Sequence, residues 1–357
     1  MDAPVFGADA NPYPEANTWD TFISYRYQKS DRHFAGPHEQ SFTDPVSGRK
    51  VEQVRITEGS QVINYLNLID LSARYNLSSR SSVTVSVPYV MIERSQTLTG
   101  PRDPDTLLRP IRDRYSTHAT GLSDITVAYR RWMLNPETHK KGNFSLGVGI
   151  KIPTGNPTVH DTFKVLNADG TFGTAVRPVD QSIQPGDGGF GFILDGSMFL
   201  RFGAGNVGWY TSGIYLFNPQ EELEVNRGSV LLANSGIAEH LSIADQYILR
   251  FGLGAKLSDH FGANLGMRLE GIPSEDIIGG SRGMRRPGRA WSVEPSLSWS
   301  SGKNSLSVGV PFAVYRNRQF NVLDRERNRA EPGDAAFADW LLMLSWGHHF
   351  GGVAKKN

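Results

Sequence analysis

Phe144-Ser145-Leu146-Gly147-Val148-Gly149-Ile150-Lys151-Ile152 alternates apolar with small or charged side chains along its whole length. In an extended chain that period of two places Phe144, Leu146, Val148, Ile150 and Ile152 on one face, with Ser145, Gly147, Gly149 and Lys151 on the other. The rhythm returns downstream. Tyr247, Leu249, Phe251, Leu253, Ala255 and Leu257 interleave with Gln246, Arg250, Gly252, Gly254 and Lys256; Trp291, Val293, Leu297 and Trp299 interleave with Ser292, Glu294, Ser296 and Ser298. Helical spacing would scatter these charges around a surface, whereas strand spacing collects them on one side.

Extended outward, this reading predicts about twelve strands, over 19–29, 61–76, 82–95, 122–135, 143–154, 189–202, 206–218, 243–257, 260–272, 289–300, 304–316 and 337–350. Trp209 and Tyr210 leave the phase of the seventh open. Long and short connections alternate. The long ones, near 30–60, 96–121, 155–188, 219–242, 273–288 and 317–336, are rich in Pro, Gly, Asp and Arg, while the short ones are turns such as Gly203-Ala204-Gly205 and Ser301-Gly302-Lys303. A membrane barrel sorts its connections in this way, with short periplasmic turns and longer outside loops, and an even strand number returns both termini to the periplasmic side.

The faces decide between a membrane barrel and a soluble sandwich. Outward phase carries Tyr65, Ile69, Leu71, Val85, Val87, Ile125, Val127, Tyr129, Leu265, Met267, Val308, Val310 and Phe312. The opposite phase carries Arg26, Asp70, Arg74, Arg130, Lys151, Asp195, Arg201, Arg250, Lys256, Arg268, Glu270 and Glu294, joined by Asp20 and Asp124. A sandwich core cannot bury so many ions without a severe desolvation cost, but a polar lumen accommodates them. Trp340 and Phe350 share a phase, and ten tilted residues separate them by roughly 25 Å along the membrane normal, the height of a lipid-facing band between aromatic girdles. The expected fold is therefore all-β, a transmembrane antiparallel up-and-down barrel over 19–350, with an N-terminal periplasmic extension over 1–18 and a tail over 351–357.

Composition narrows the function classes. Hydrophobic residues are 39% of the chain and mean hydropathy is -0.36, so no stretch supplies the ~20 apolar residues of a membrane helix. The absence of cysteine removes disulfides, thiolate catalysis and thiolate metal sites. A net charge of +1 gives no reason to expect nucleic acid. Met1-Asp2-Ala3-Pro4 lacks the basic and apolar start of a signal peptide, so the chain reads as a mature form carrying an added Met1.

The C-terminal run from Trp340 to Phe350 resembles the assembly signal of bacterial outer-membrane proteins, an amphipathic last strand ending in an aromatic residue; here Gly351 to Asn357 follow it. Gly121-Leu122-Ser123-Asp124 opening one strand, and Ile152-Pro153-Thr154-Gly155 closing the next, resemble the outer-membrane family named for a meta-pathway of phenol degradation. In that family a second Gly is usual at position 123 and Leu at position 152, and the match covers mainly 120–200. The resemblance implies an outer-membrane channel for aromatic or other small organic compounds and carries over no catalytic or binding residue.

No chemistry of bond making stands out. His33, His38, His118, His160 and His240 fall in long connections without tight ligand spacing and read as solvated loop histidines, so no metal or cofactor is expected. His348 and His349 point to opposite faces. An outer-membrane lipase would need a serine and an orienting group beside His348 in the same phase, which the sequence lacks, so no catalytic residue is assigned. The ions of the inner face leave two readings open: a lumen whose opposed charges select solutes, or salt bridges that fill the barrel. The expectation is a passive channel for small solutes in the outer membrane of a Gram-negative bacterium, filtered by loops 155–188 and 30–60 and surrounded by lipid and lipopolysaccharide. Its rival is a non-conducting barrel that anchors a protein partner through its outside loops.

Overall fold

The computed structural model describes residues 13, 15–43, 50–52, 62–100, 111–167, 169–226 and 240–351. Most of the N-terminal extension, all of the tail after Gly351 and much of the 30–60 connection therefore lie outside the described residues. Twelve strands form the wall: β1 Thr18–Ala35, β2 Ile63–Asn76, β3 Ser81–Thr99, β4 in two runs (Ile111–Leu122 and Ile125–Trp132), β5 Gly142–Ile152, β6 Gly191–Phe202, β7 Val207–Phe217, β8 Gln246–Lys256, β9 Phe261–Ile272, β10 Gly288–Ser301, β11 in two runs (Asn304–Gly309 and Phe312–Arg318) and β12 Ala335–Phe350. Neighbours in sequence are neighbours in the sheet, all antiparallel. β12 pairs with β1 from Trp19↔Phe350 to Phe34↔Ala335, which closes the barrel. Closure of this kind removes the free sheet edges, the condition for crossing hydrocarbon with strands.

The register fixes the faces. Leu146, Val148, Ile150, Leu194, Leu253, Leu265 and Leu297 stand exposed on the outer surface. Trp19 against Tyr75 (4.8 Å between ring centroids) lies near the periplasmic end, and Tyr27 against Trp340 (5.7 Å) lies toward the other. Trp209 stacks outward on Phe251 at 5.8 Å. Tyr210 is buried inside with Trp132 and Phe199, which settles the phase of the seventh strand.

Two strands are interrupted, and both interruptions involve proline. Between Tyr89↔Leu122 and Ser86↔Thr126, β4 holds one residue more than β3. This bulge sits at Ser123-Asp124, opposite Pro88, where the imino acid has no proton for a ladder bond. Ser123 N–H still donates to the Pro88 carbonyl at 2.8 Å. β11 breaks at Val310-Pro311, again with a proline, Pro295, on the strand beside it. Beyond the single pair Phe312↔Trp340, the ladder between β11 and β12 stops.

One expected connection is in large part strand. β3 runs to Thr99 and β4 starts at Ile111, so most of 96–121 is a hairpin extending the wall outward. Its residues, such as Arg112, Asp113, Arg114, Ser116, Thr117 and His118, are polar on both faces and give no period-two contrast. His33 also departs from expectation. Rather than a solvated loop residue, it sits near the end of β1 at 4% exposure. Its Nδ1 lies 2.8 Å from Asp334 and its Nε2 2.8 Å from the Val62 carbonyl.

Candidate functional site: the lumen and its inward loop

The sequence-predicted ions share the inner face but not one level. Toward the middle of the β8–β10 wall, Arg250 donates through Nε to Glu294 at 3.0 Å. Directly opposite Arg250 in the register, Arg268 reaches outward to Glu270 at 2.6 Å. Arg268 and Glu294 are each 2% exposed. Arg26 approaches Glu270 from β1 at 3.9 Å, across the lumen. On the facing wall, Arg130 of β4 pairs with Asp195 of β6 at 2.8 Å. They meet over β5 at Gly147, where any Cβ would collide with the Asp195 carboxylate. Asp70 accepts from the hydroxyls of Ser72 and Ser86. Arg74 pairs with Asp20 at 3.0 Å and covers the Phe22 ring at 5.0 Å. Lys151 belongs to the base of the β5–β6 connection, and the other two lie at the periplasmic rim. Arg201 stacks on Phe199 at 5.5 Å, and Lys256 binds Asp259 of the adjoining turn at 2.8 Å. That ion pair draws the Asp259 carboxyl below its usual range.

Among these ions, pairing within one stretch of wall, on the same strand or on strands at most two apart, is thus the rule, and Arg26 to Glu270 is a cross-lumen contact. Below these ions several inward positions are small, among them Ser145, Ser197, Gly254, Ser296 and Ser307, by the registers of β5 to β11, while Trp132, Phe199 and Tyr210 pack together on the same inner face.

The connection between β5 and β6 enters the lumen. It begins with an antiparallel hairpin, His160–Leu166 against Phe172–Pro178. The hairpin stands against the outer extension of β4: Asp161 accepts from His118 N–H at 2.7 Å, and Lys164 pairs with Asp113. The chain then turns inward through a short 3-10 turn, Gln181–Ile183, capped by Asp180. Ile183, 0% exposed, and Val179 pack on Val90, Ile92 and Ala119 of β3 and β4, with Leu66 and Leu68 of β2 around them. These are inward apolar positions that period-two reading missed, because Leu66 and Leu68 alternate with Tyr65, Asn67 and Ile69 and show little contrast.

Ions hold the turn in place. Arg286 donates both guanidinium nitrogens to Asp180, at 2.8 and 2.9 Å. Arg94 of β3 lies 3.4 Å from the same carboxylate. Burial alone would raise the Asp180 carboxyl, but the pull of Arg286 and Arg94 outweighs it and holds the group well below the usual carboxylate range. A second set of contacts fixes the base of the loop. Asp124 accepts from Gly155 N–H at 3.0 Å and lies 3.6 Å from the Lys151 ammonium, which also binds Asp187. Thr154 Oγ1 donates to the Ser123 carbonyl and accepts from Ile125 N–H, both at 2.9 Å. The motifs at 121–124 and 152–155 therefore form one structure, in which the end of β5 repairs the bulge in β4.

Beside the Asp180 cluster lies a cavity of about 310 Å³. Arg94, Ser182 and Arg286 are in its lining, and Ile272, Ala290 and Phe337 supply apolar surface. The sequence held no local signal for this place, since Arg94, Asp180 and Arg286 come from three distant segments. At the periplasmic end, Tyr13 packs edge-on against Trp132 and Phe199, at 5.6 and 6.2 Å, and receives a hydrogen bond from Asn143 at 2.9 Å.

No family model matches the chain, and no curated protein matches it. Among solved structures it is similar to the COG4313 outer membrane channel from Pseudomonas putida F1, with a TM-score of 0.55 and 12% identity over 98% of this chain and 100% of that one. It also matches the CymD monoaromatic hydrocarbon channel (TM-score 0.47, 10% identity, 99% and 95% covered). A third match is the P. putida toluene transporter TodX (TM-score 0.41, 9% identity, 98% and 93% covered). At these identities the likeness to the first shows the fold: a closed twelve-strand barrel of the outer-membrane kind.

Proposed function

We propose that the chain is a passive outer-membrane channel of a Gram-negative bacterium for small organic solutes, aromatic ones among them. The observation that carries this reading is a lumen occupied on its outer side by a loop seated on the wall, with a solute-sized cavity at its side. A loop held by a few contacts can move aside, whereas a packed core cannot. The resemblance of the 121–124 and 152–155 motifs to the phenol meta-pathway family supports an aromatic cargo. Of the predicted lining, Arg26, Arg74 and Arg130 keep partly accessible side chains and would meet a solute first; Arg26 retains 31% side-chain exposure. Lipid and lipopolysaccharide would surround the outer face.

The buried Arg250–Glu294 and Arg268–Glu270 pairs favour a second reading, a sealed barrel that anchors a partner. Single-channel recording of the purified protein in a planar bilayer separates the two. Discrete steps under voltage are expected of the channel, and a silent membrane would select the anchor. Arg26→Glu is the lining test: in a conducting barrel it should shift the reversal potential toward cation preference, and an unchanged potential would remove Arg26 from the path.

A further inference from the structure

Asp180 is placed as a ligand would be. Its carboxylate takes the parallel fork of Arg286, the Arg94 guanidinium at 3.4 Å and both the hydroxyl and the N–H of Ser182, at 2.8 and 3.0 Å. Paired parallel bonds from arginine are the geometry by which proteins recognise free carboxylates. Arg94, Arg286 and Ser182 also line the cavity, so a small molecule inside it reaches the same donors that Asp180 occupies. The cavity of about 310 Å³ is at the lower end of the ~300–1,000 Å³ range of small-molecule sites. Its lining also offers Ile272, Ala290 and Phe337 to an apolar body.

We infer that the cavity is a binding site for a small organic monocarboxylate, and that Asp180 is a tethered mimic of that carboxylate which the solute displaces to release the loop. The inference rests on the channel reading and names its solute class. Charge supports it. The acids of the lining are already engaged, Glu270 by Arg268 and Arg26, and Asp334 by His33. Once Asp180 leaves, the place it vacates faces Arg94 and Arg286, with Arg289 also in the lining. Transfer of those arginines to a solute carboxylate keeps them neutralised while Ile183 is drawn from its socket. A neutral molecule of the same shape lacks the charge to compete.

The mimic also sets the affinity. A group on a short tether competes at an effective concentration of about millimolar, so wild-type protein should bind carboxylates weakly, and loss of the mimic should tighten binding about ten-fold or more. The test is calorimetric titration of the full-length folded barrel in detergent with sodium benzoate and with benzamide, its neutral counterpart. Asp180→Asn and Asp180→Ala should bind benzoate about ten-fold or more tightly than wild type, with benzamide unchanged. Arg286→Gln added to Asp180→Asn should erase the gain. Heat-modifiable gel migration reports folding, and the isosteric Asn variant stands in if Ala does not fold. In wild type, benzoate should raise protease cleavage within 155–188 and benzamide should not. Equal benzoate affinity in wild type and Asp180→Asn, an equal gain for benzamide, or cleavage indifferent to benzoate would each overturn the mimic. Bilayer recording of the same proteins keeps the two readings apart. A conducting barrel without the benzoate effect rejects the site alone, and a silent barrel that binds benzoate through Arg286 rejects the channel alone.

Discussion

The wall is broken twice, and the two breaks are mended differently. At Ser123-Asp124 the repair is a hydroxyl: Thr154 satisfies the Ser123 carbonyl and the Ile125 N–H that the ladder has lost. At the β11–β12 seam it is a guanidinium: Arg316 donates to the Ala338 carbonyl at 3.0 Å and pairs with Asp339. Both answer one requirement, because a buried backbone group left without a partner costs free energy comparable to a lost hydrogen bond. The first repair, however, belongs to the loop that occupies the lumen, since Thr154, Gly155 and Asp187 lie in that connection. Arg316 serves the wall, stacking 5.5 Å from Phe34 and forming no contact with 153–190 among those described. A defect tied to a loop makes the loop part of the wall, so release of the loop should be felt in the barrel at β4 and not at β11.

Asp124→Ala should break that tie most severely. It leaves the Gly155 and Asp187 N–H groups short of an acceptor and takes one of two carboxylates from Lys151. The expected loss is about 2–4 kcal/mol, measured as a lower urea midpoint for barrel unfolding. Protease should then cut within 155–188 while β11 keeps its hydrogen-exchange protection. Uniform loss of protection around the barrel would show that the two breaks are not independent.

Gly155→Ala tests the same tie through shape. A Cβ at Gly155 would lie 2.7 Å from the Gly186 Cα, where backbone meets backbone and no side chain can swing away. Separating the two strands of the loop base should cost about 1–3 kcal/mol, with the same local pattern of cleavage. A neutral result would mean that the close approach does not hold the loop. At the other break, Arg316→Ala should cost about 1–2 kcal/mol and raise amide exchange from Ala338 to Leu341. Cleavage at 155–188 should stay as in wild type, and a rise there would join the seam to the loop.

The difference between the breaks also explains what the sequence could reveal. The outer face of β5 is legible because lipid demands an unbroken apolar file, Phe144 through Ile152, against small inner residues. Asp124 and the Pro153-Thr154-Gly155 turn are visible as a motif because the repair is local to adjoining strands. Arg316 is not, since one arginine in a strand end reads the same whether or not it caps a carbonyl. The Asp180 cluster is less legible still. Its partners are distant in sequence, Arg286 lying 106 positions away, and pairing of that kind is decided by tertiary closure rather than by periodicity. The inner apolar socket was hidden for a related reason: where Leu66 and Leu68 face a loop and Tyr65 and Ile69 face lipid, both faces are greasy and alternation disappears.

The smallest effect expected is no effect, and it concerns pH. With its carboxyl well below the usual range while latched, and near 3.9 when the loop is free, Asp180 binds a proton more readily in the released state. Its contribution to closure is therefore complete above about pH 5 and is lost only as pH falls through the depressed value. Loop cleavage and open fraction should stay flat between about pH 8 and pH 5, then rise in stronger acid. In Asp180→Asn the acid-dependent rise should vanish, leaving a constant, higher level. A midpoint near pH 6 would instead transfer control to a histidine.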